Sequence, residues 1–141
     1  MPSVDVRITH ELDLDAVLAL YEAVGWTAYT RAPDKIAAGL HGASFVAGAF
    51  EGQRLIGLLR AVSDDATVCY LQDVLVRPDA QHAGVGHALV TVLLERYAHV
   101  RQHVLLTDDE PSQRAFYESL GYTEIRDVEG ANLRAFVRVG S

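Results

Sequence analysis

Apolar and polar positions recur along this chain with periods that change from segment to segment. Residues 4–9 alternate as a first strand, and a helical period starts at Asp13, runs through Leu14, Val17, Leu18 and Tyr21, and ends near Gly25. Pro33 and Asp34 open a short second helix that reaches about Leu40. Residues 44–50 and 54–62 read as strands joined by the glycine-containing hairpin turn Glu51-Gly52-Gln53. After a second turn, Ser63-Asp64-Asp65, residues 67–76 form a long strand whose end is apolar on both faces, as in a central strand.

From Gly84 the period becomes helical again, with Val85, Leu89, Val92, Leu93, Tyr97 and Val100 on one face. Residues 103–107 are a short apolar strand. Pro111 starts a last helix and Gly121 stops it. Residues 122–126 and 133–139 are predicted as closing strands. The order is β, α, α, β, β, β, α, β, α, β, β. It predicts a mixed α/β fold, one domain over residues 1–141, with a largely antiparallel central sheet and one parallel strand–helix–strand crossover across residues 71–107. The closing strands could leave an edge open, so the expectation is a monomer or a homodimer.

About half of the 141 residues are apolar, enough for a real core, and the formal net charge is −7. That charge argues against nucleic acid or an acidic membrane as partner, because both require clustered Lys and Arg. No apolar stretch reaches the roughly 18 residues of a membrane span, and residues 1–10 lack the pattern of a signal peptide. The single cysteine, Cys69, cannot form an intrachain disulfide and reads as a small buried hydrophobe. Together these point to the reducing cytoplasm. His99 and His103 have the spacing of a metal pair, but they straddle a predicted helix end and lack a third ligand, so no metal is expected.

The strongest local signal is Gln81-His82-Ala83-Gly84-Val85-Gly86-His87-Ala88, between a strand and a helix. Free N–H groups at a helix start, together with the helix dipole, attract phosphate, and glycine lets the backbone approach it. A plain strand-to-helix turn is the alternative. A nucleoside-triphosphate loop would need a Gly-Lys-Ser/Thr ending, which is missing. A dinucleotide fingerprint would need a small residue at Leu89 and an acidic ribose partner in the next strand, and neither is present.

The pattern Gln/Arg-x-x-Gly-x-Gly/Ala after Val74-Leu75-Val76-Arg77-Pro78 resembles the GNAT acetyltransferase superfamily. A second block, Arg114-Ala115-Phe116-Tyr117-Glu118-Ser119-Leu120-Gly121-Tyr122, resembles that family's Phe-Tyr-x-x-x-Gly-Phe/Tyr segment, about 30 residues further on. The resemblance implies a GNAT-like acyltransferase fold and an N-acetyltransferase that uses acetyl-coenzyme A as co-substrate. It implies that His82, Ala83, Gly84, Val85 and Gly86 cradle the pyrophosphate, that Gln81 braces the turn, and that His87 can meet a phosphate. It further implies that the backbone of Leu75 and Val76 pairs with the pantetheine arm, between strands that splay apart. Tyr117 would donate the proton to the leaving thiolate, with Phe116 beside the coenzyme. The family often has Asn just upstream, where this chain has Asp108-Asp109-Glu110-Pro111-Ser112, so Ser112 or Arg114 would compensate.

Asp73 interrupts an apolar strand, which is costly for an unpaired carboxylate. It reads either as a cleft-facing group that holds or deprotonates the substrate ammonium, or as a salt-bridge partner of Arg60. Simple alternation puts Tyr70 and Gln72 on the opposite face, unless a bulge changes the parity. Trp26 and Tyr29, in a predicted loop, form either an aromatic wall for an acceptor amine or a lid over the core. The preferred function is acetylation of a small primary amine. A protein N-terminus or lysine as acceptor, and a non-catalytic coenzyme A sensor or interaction domain, remain alternatives.

Overall fold

A computed structural model describes residues 4–81 and 83–140. The chain packs as two compact units, one ending at Leu106 and the other beginning at Thr107. No described helix is long and apolar enough to cross a membrane.

The first unit is built on five strands in the order β1 (Val4–Ile8), β2 (Phe45–Glu51), β3 (Arg54–Ser63), β4 (Val68–Val76) and β5 (Gln102–Leu105). The first three pairings are antiparallel and β4–β5 is parallel, so the mixed, mainly antiparallel sheet is the one expected from sequence. The parallel pair is joined through helix α4 (Val85–Arg96), the predicted crossover. Helices α1 (Leu14–Ala23), α2 (Thr27–Thr30) and α3 (Pro33–Gly42) precede β2. The four-residue α2 falls where sequence suggested a loop, because one turn of helix is too short to show a period.

The sheet is covered on both faces. On one, Val17, Leu20 and Tyr21 of α1 and Ile36 and Leu40 of α3 form a core with Val46, Leu55, Leu58 and Leu75. On the other lies α4. Gly57 is what lets α4 approach: a Cβ there would lie 3.0 Å from Val85 Cγ1 and 3.1 Å from Leu89 Cδ1. Asp13 caps α1 by accepting from the Ala16 N–H, and Gly25 ends it with φ of 83°. The Gly25 N–H then donates to the Glu22 carbonyl and the Trp26 N–H to the Tyr21 carbonyl, a Schellman motif. Its signature apolar contact is the tilted packing of Trp26 on Tyr21, with ring centroids 5.9 Å apart.

The register of β3 against β4 contains one irregularity. Arg60 pairs with Asp73 and Ala61 with Leu71, which leaves Gln72 as an extra residue in β4. A β-bulge of this kind reverses which side chains face which side beyond it. Asp73 and Leu75 therefore face α1, whereas Leu71 and Cys69 face α4. Cys69 is buried at 1% exposure, and that burial raises its thiol pKa.

The second unit contains helix α5 (Pro111–Ser119) and a short 3₁₀ turn at Ile125–Asp127. The end of α5 repeats the α1 device: Gly121, with φ of 93°, donates to Glu118 O, and Tyr122 donates to Tyr117 O. The two closing strands expected from sequence are not formed. Residues 122–126 are bent instead by Arg114, whose guanidinium holds Glu118, Glu124 and Asp127 together. Residues 133–139 keep their alternation but make no backbone hydrogen bond among the described residues, and a strand needs a ladder partner.

Replacing Gly57 with valine should press into α4 and lower unfolding free energy by about 1–3 kcal/mol, read from the midpoint of urea denaturation.

Candidate active site

Glycine chemistry shapes the turn after β4. Pro78–Ala80 forms a 3₁₀ turn, and Gly84 takes a left-handed conformation with φ of 79° as the residue before α4. The N–H groups of Val85, Gly86 and His87 have no partner among the described residues, since the first helical bond is Ala88 N–H to Gly84 O. They form the positive end of a twelve-residue helix. Gln81 Nε2 donates to the Val76 carbonyl at 3.2 Å, tying the turn to the strand end. Ala83 and the His87 side chain are exposed. His82 lies outside the described residues.

Beside this turn β4 has an open edge. β5 pairs with it only over Val68–Leu71, so among the described residues Gln72, Asp73, Val74, Leu75 and Val76 have no strand on that side. Such an edge offers main-chain groups to an extended ligand. Leu75 itself is buried, with its side chain in the α1 core. A cluster of free N–H groups thus lies next to an open strand edge, at the two places where the resemblance puts the pyrophosphate and the pantetheine arm.

Asp73 is 3% exposed. Its Oδ2 accepts from the Tyr21 hydroxyl at 2.7 Å and from Arg60 Nε at 2.9 Å and Nη2 at 2.8 Å. The salt bridge to Arg60 is thus present, and the carboxylate's charge is already matched. Burial pushes the Tyr21 phenol well above its ordinary range, and the adjacent negative charge of Asp73 adds to this, so Tyr21 stays a donor. Burial works against the Arg60 cation, but Asp73 more than offsets it and the guanidinium remains charged. Gly39 of α3 lies against this group, and a Cβ there would overlap the Arg60 guanidinium.

The bulge corrects one expectation from alternation. Tyr70 is on the Asp73 side: burial raises its phenol pKa, with the Asp73 carboxylate and Tyr29 contributing. Gln72 also turns this way, its amide reaching the Tyr29 hydroxyl at 3.5 Å. Trp26 and Tyr29 are half-buried against the α1 core and meet Tyr21 in tilted ring contacts, at centroid separations of 5.9 and 5.1 Å. One cluster therefore combines Trp26, Tyr29 and Asp73 with Tyr21, Arg60 and Tyr70. The signal for Tyr21 was a hydroxyl on an otherwise apolar helix face, and for Arg60 a cation between Leu59 and Ala61.

In the second unit, Tyr117 is held between Phe116 and Tyr122, with edge-on ring centroids at 5.0 and 5.8 Å. Burial pushes its phenol above the ordinary tyrosine value. Ser112 is exposed in the first turn of α5. Arg114 pairs with the carboxylates of Glu118, Glu124 and Asp127. His99 bonds Asp65 and His103 bonds the Tyr97 carbonyl, so the two do not converge.

A model of the acetyltransferase (GNAT) family matches residues 9–122. The chain belongs to that family. It is 32% identical to the histone acetyltransferase TAP1 of Glycine max, over 85% of this chain and 55% of that one. It is 27% identical to the uncharacterized N-acetyltransferase ycf52 of Porphyra purpurea, over 86% and 70%. The chain spans 43–70% of the lengths of the curated relatives it matches. Among solved structures, a GNAT family acetyltransferase of Streptococcus pneumoniae superposes with a TM-score of 0.85 at 25% identity, covering 98% of both chains. Two others share the fold with a TM-score of 0.69. They are the PaiA N-acetyltransferase of Thermoplasma acidophilum in complex with coenzyme A, at 16% identity over 90% and 94% of the chains, and a soil metagenomic aminoglycoside acetyltransferase in complex with sisomicin, at 15% identity over 97% of each.

Two outcomes follow from this geometry. Tyr21→Phe, which removes a buried bond to a charged group, should cost about 1.5–3 kcal/mol in thermal or urea unfolding. Gly84→Ala meets no neighbour but strains the left-handed turn, which should raise the KM for acetyl-coenzyme A about tenfold with a smaller change in kcat.

Proposed function

We propose that this enzyme transfers the acetyl group of acetyl-coenzyme A to a primary amine of a small molecule with an aromatic or apolar body, by direct attack in a ternary complex. The observation that carries the reading is the ring cluster of Tyr21, Trp26 and Tyr29 beside an aspartate whose charge Arg60 already neutralises. Such a surface suits an apolar body and the neutral amine that must attack. It offers little to a polycation.

In this reading the free N–H groups of Val85, Gly86 and His87 hold the pyrophosphate, and the open edge at Leu75 and Val76 receives the pantetheine amides. The amine nitrogen bonds to the acetyl carbon, the carbon–sulfur bond breaks, and the nitrogen gives up its proton to solvent water. Tyr117 donates its phenolic proton to the leaving thiolate and is reprotonated from solvent. Asp73 is a positioning residue: it fixes Tyr21 and Arg60 under the acceptor rings. The identity to a histone acetyltransferase favours a second reading, in which a protein lysine is the acceptor.

Thiol release from acetyl-coenzyme A against arylalkylamines, polyamines, amino sugars, aminoglycosides and lysine peptides tests both readings. Turnover should be highest on arylalkylamines and fall about 10²–10⁴-fold in Tyr117→Phe. Preference for the lysine peptides would transfer the conclusion to the second reading, and full activity in Tyr117→Phe would remove the proton-donor role. Because burial raises the Tyr117 pKa, its acid form persists to higher pH, so kcat should hold through the ordinary tyrosine value of about 10 and decline only above it.

A further inference from the structure

We propose that β1 is a surface for a second copy of this chain, whose own β1 adds to it antiparallel about a two-fold axis at Val6. The contact is independent of the acceptor reading and uses only residues of the first unit.

β1 stands at the end of the sheet, and among the described residues it pairs with β2 alone. In an antiparallel pair, residues alternate between those whose N–H and C=O both point to the neighbour and those whose groups both point away. The Thr9 N–H donates to the Val46 carbonyl, one step beyond the pairing of Ile8 with Ala47. Arg7 and Asp5 share the parity of Thr9 and bond toward β2. The main-chain groups of Val4, Val6 and Ile8 therefore point outward, where nothing in the sheet meets them. These three positions are symmetric about Val6. A second β1 set with its Val6 opposite Val6 brings Ile8 opposite Val4 at each end, so every outward donor faces an outward acceptor.

The side chains obey the same symmetry. Val6 lies opposite Ala49 and Ile8 opposite Ala47, on the face where Ala49 borders Gly57 and α4. Val4 is 37% and Ile8 60% exposed. In the paired register each covers the other, and one apolar row runs across the joined sheets.

The opposite face specifies the occupant. It carries Asp5 and Arg7, which pair within one strand at 2.7 Å, and the Phe50 ring steadies Arg7 from 4.3 Å. Charge on an edge strand ordinarily keeps other strands away. Here the two charges have opposite sign and lie equally far from Val6, so Asp5 meets Arg7 of the second copy on both sides of the axis. Those are the non-hydrogen-bonded positions, where side chains across a ladder come closest. A strand of another sequence would have to reproduce this charge order, whereas a second copy does so by symmetry. The contact is isologous and closes on itself.

Sedimentation of the full chain from about 1 μM to about 1 mM, the span of a small interface, tests this together with residue-resolved amide exchange on the same samples. The expected result is a concentration-dependent dimer in which the Val6 and Ile8 amides gain protection as it forms, while the Arg7 amide, bonded within the sheet, is protected throughout. Asp5→Arg and Arg7→Asp should each abolish the dimer, since each sets like charges opposite one another. Mixed together, the two single variants should form a heterodimer, and the double variant should dimerise as the wild type does. A chain that stays monomeric over the whole range would overturn the proposal. So would a dimer whose Val6 and Ile8 amides exchange freely, one that both single variants retain, or a loss that neither the mixture nor the double variant repairs. If a variant fails to fold, the wild-type mass and exchange pattern still decide.

Discussion

Asp73 is a carboxylate in the middle of a sheet, and removing it from water costs several kcal/mol unless its charge is met. It is met from two directions, by Arg60 across the β3–β4 ladder and by Tyr21 from α1, both on the same oxygen. That convergence depends on one surplus residue. Without Gln72 in the ladder, Asp73 and Leu75 could not face α1 while Leu71 and Cys69 face α4, and one of the two cores would have to hold the charge or lose its leucine. The bulge thus serves packing and site together. It fills both faces with apolar side chains, delivers the ionic cluster to the α1 side, and gathers Tyr70, Gln72 and Tyr29 around it.

The helix ends solve a related problem. Both tyrosines of interest, Tyr21 and Tyr117, sit five residues before an aromatic that follows a left-handed glycine. In each case the aromatic's N–H bonds to the tyrosine carbonyl, and the two rings meet, Trp26 on Tyr21 and Tyr122 on Tyr117. The motif that satisfies the last carbonyls also restrains the tyrosine ring. Each tyrosine is held by its own helix terminus, so its orientation is set locally.

Much of this was legible in the chain. Helix and strand periods, the glycines at 84 and 121 and the proline at 111 placed the elements and the turn, since each reflects a local requirement. The four-residue α2 was not, because it has too few residues to repeat. Residues 133–139 have strand periodicity without a strand, since periodicity reports a face and not the presence of a neighbour. Alternation alone left the face of Tyr70 open to the presence of a bulge, and the sequence could not decide it, because the bulge is a mismatch in residue count between β3 and β4 that neither strand carries alone. Arg60 could be weighed as a partner of Asp73, but the third member, Tyr21, looked like any helical core position until α1 was laid on the sheet.

Gly39 ties the evolution of this site to a residue that takes no part in it. Because α3 passes so close to the Arg60 guanidinium that a Cβ at position 39 would lie 2.4 Å from its Nη1, a side chain there would push the free end of Arg60 aside, at a cost set by how firmly Asp73 holds the rest of the guanidinium. Substitutions at positions 39 and 60 are therefore coupled and not additive.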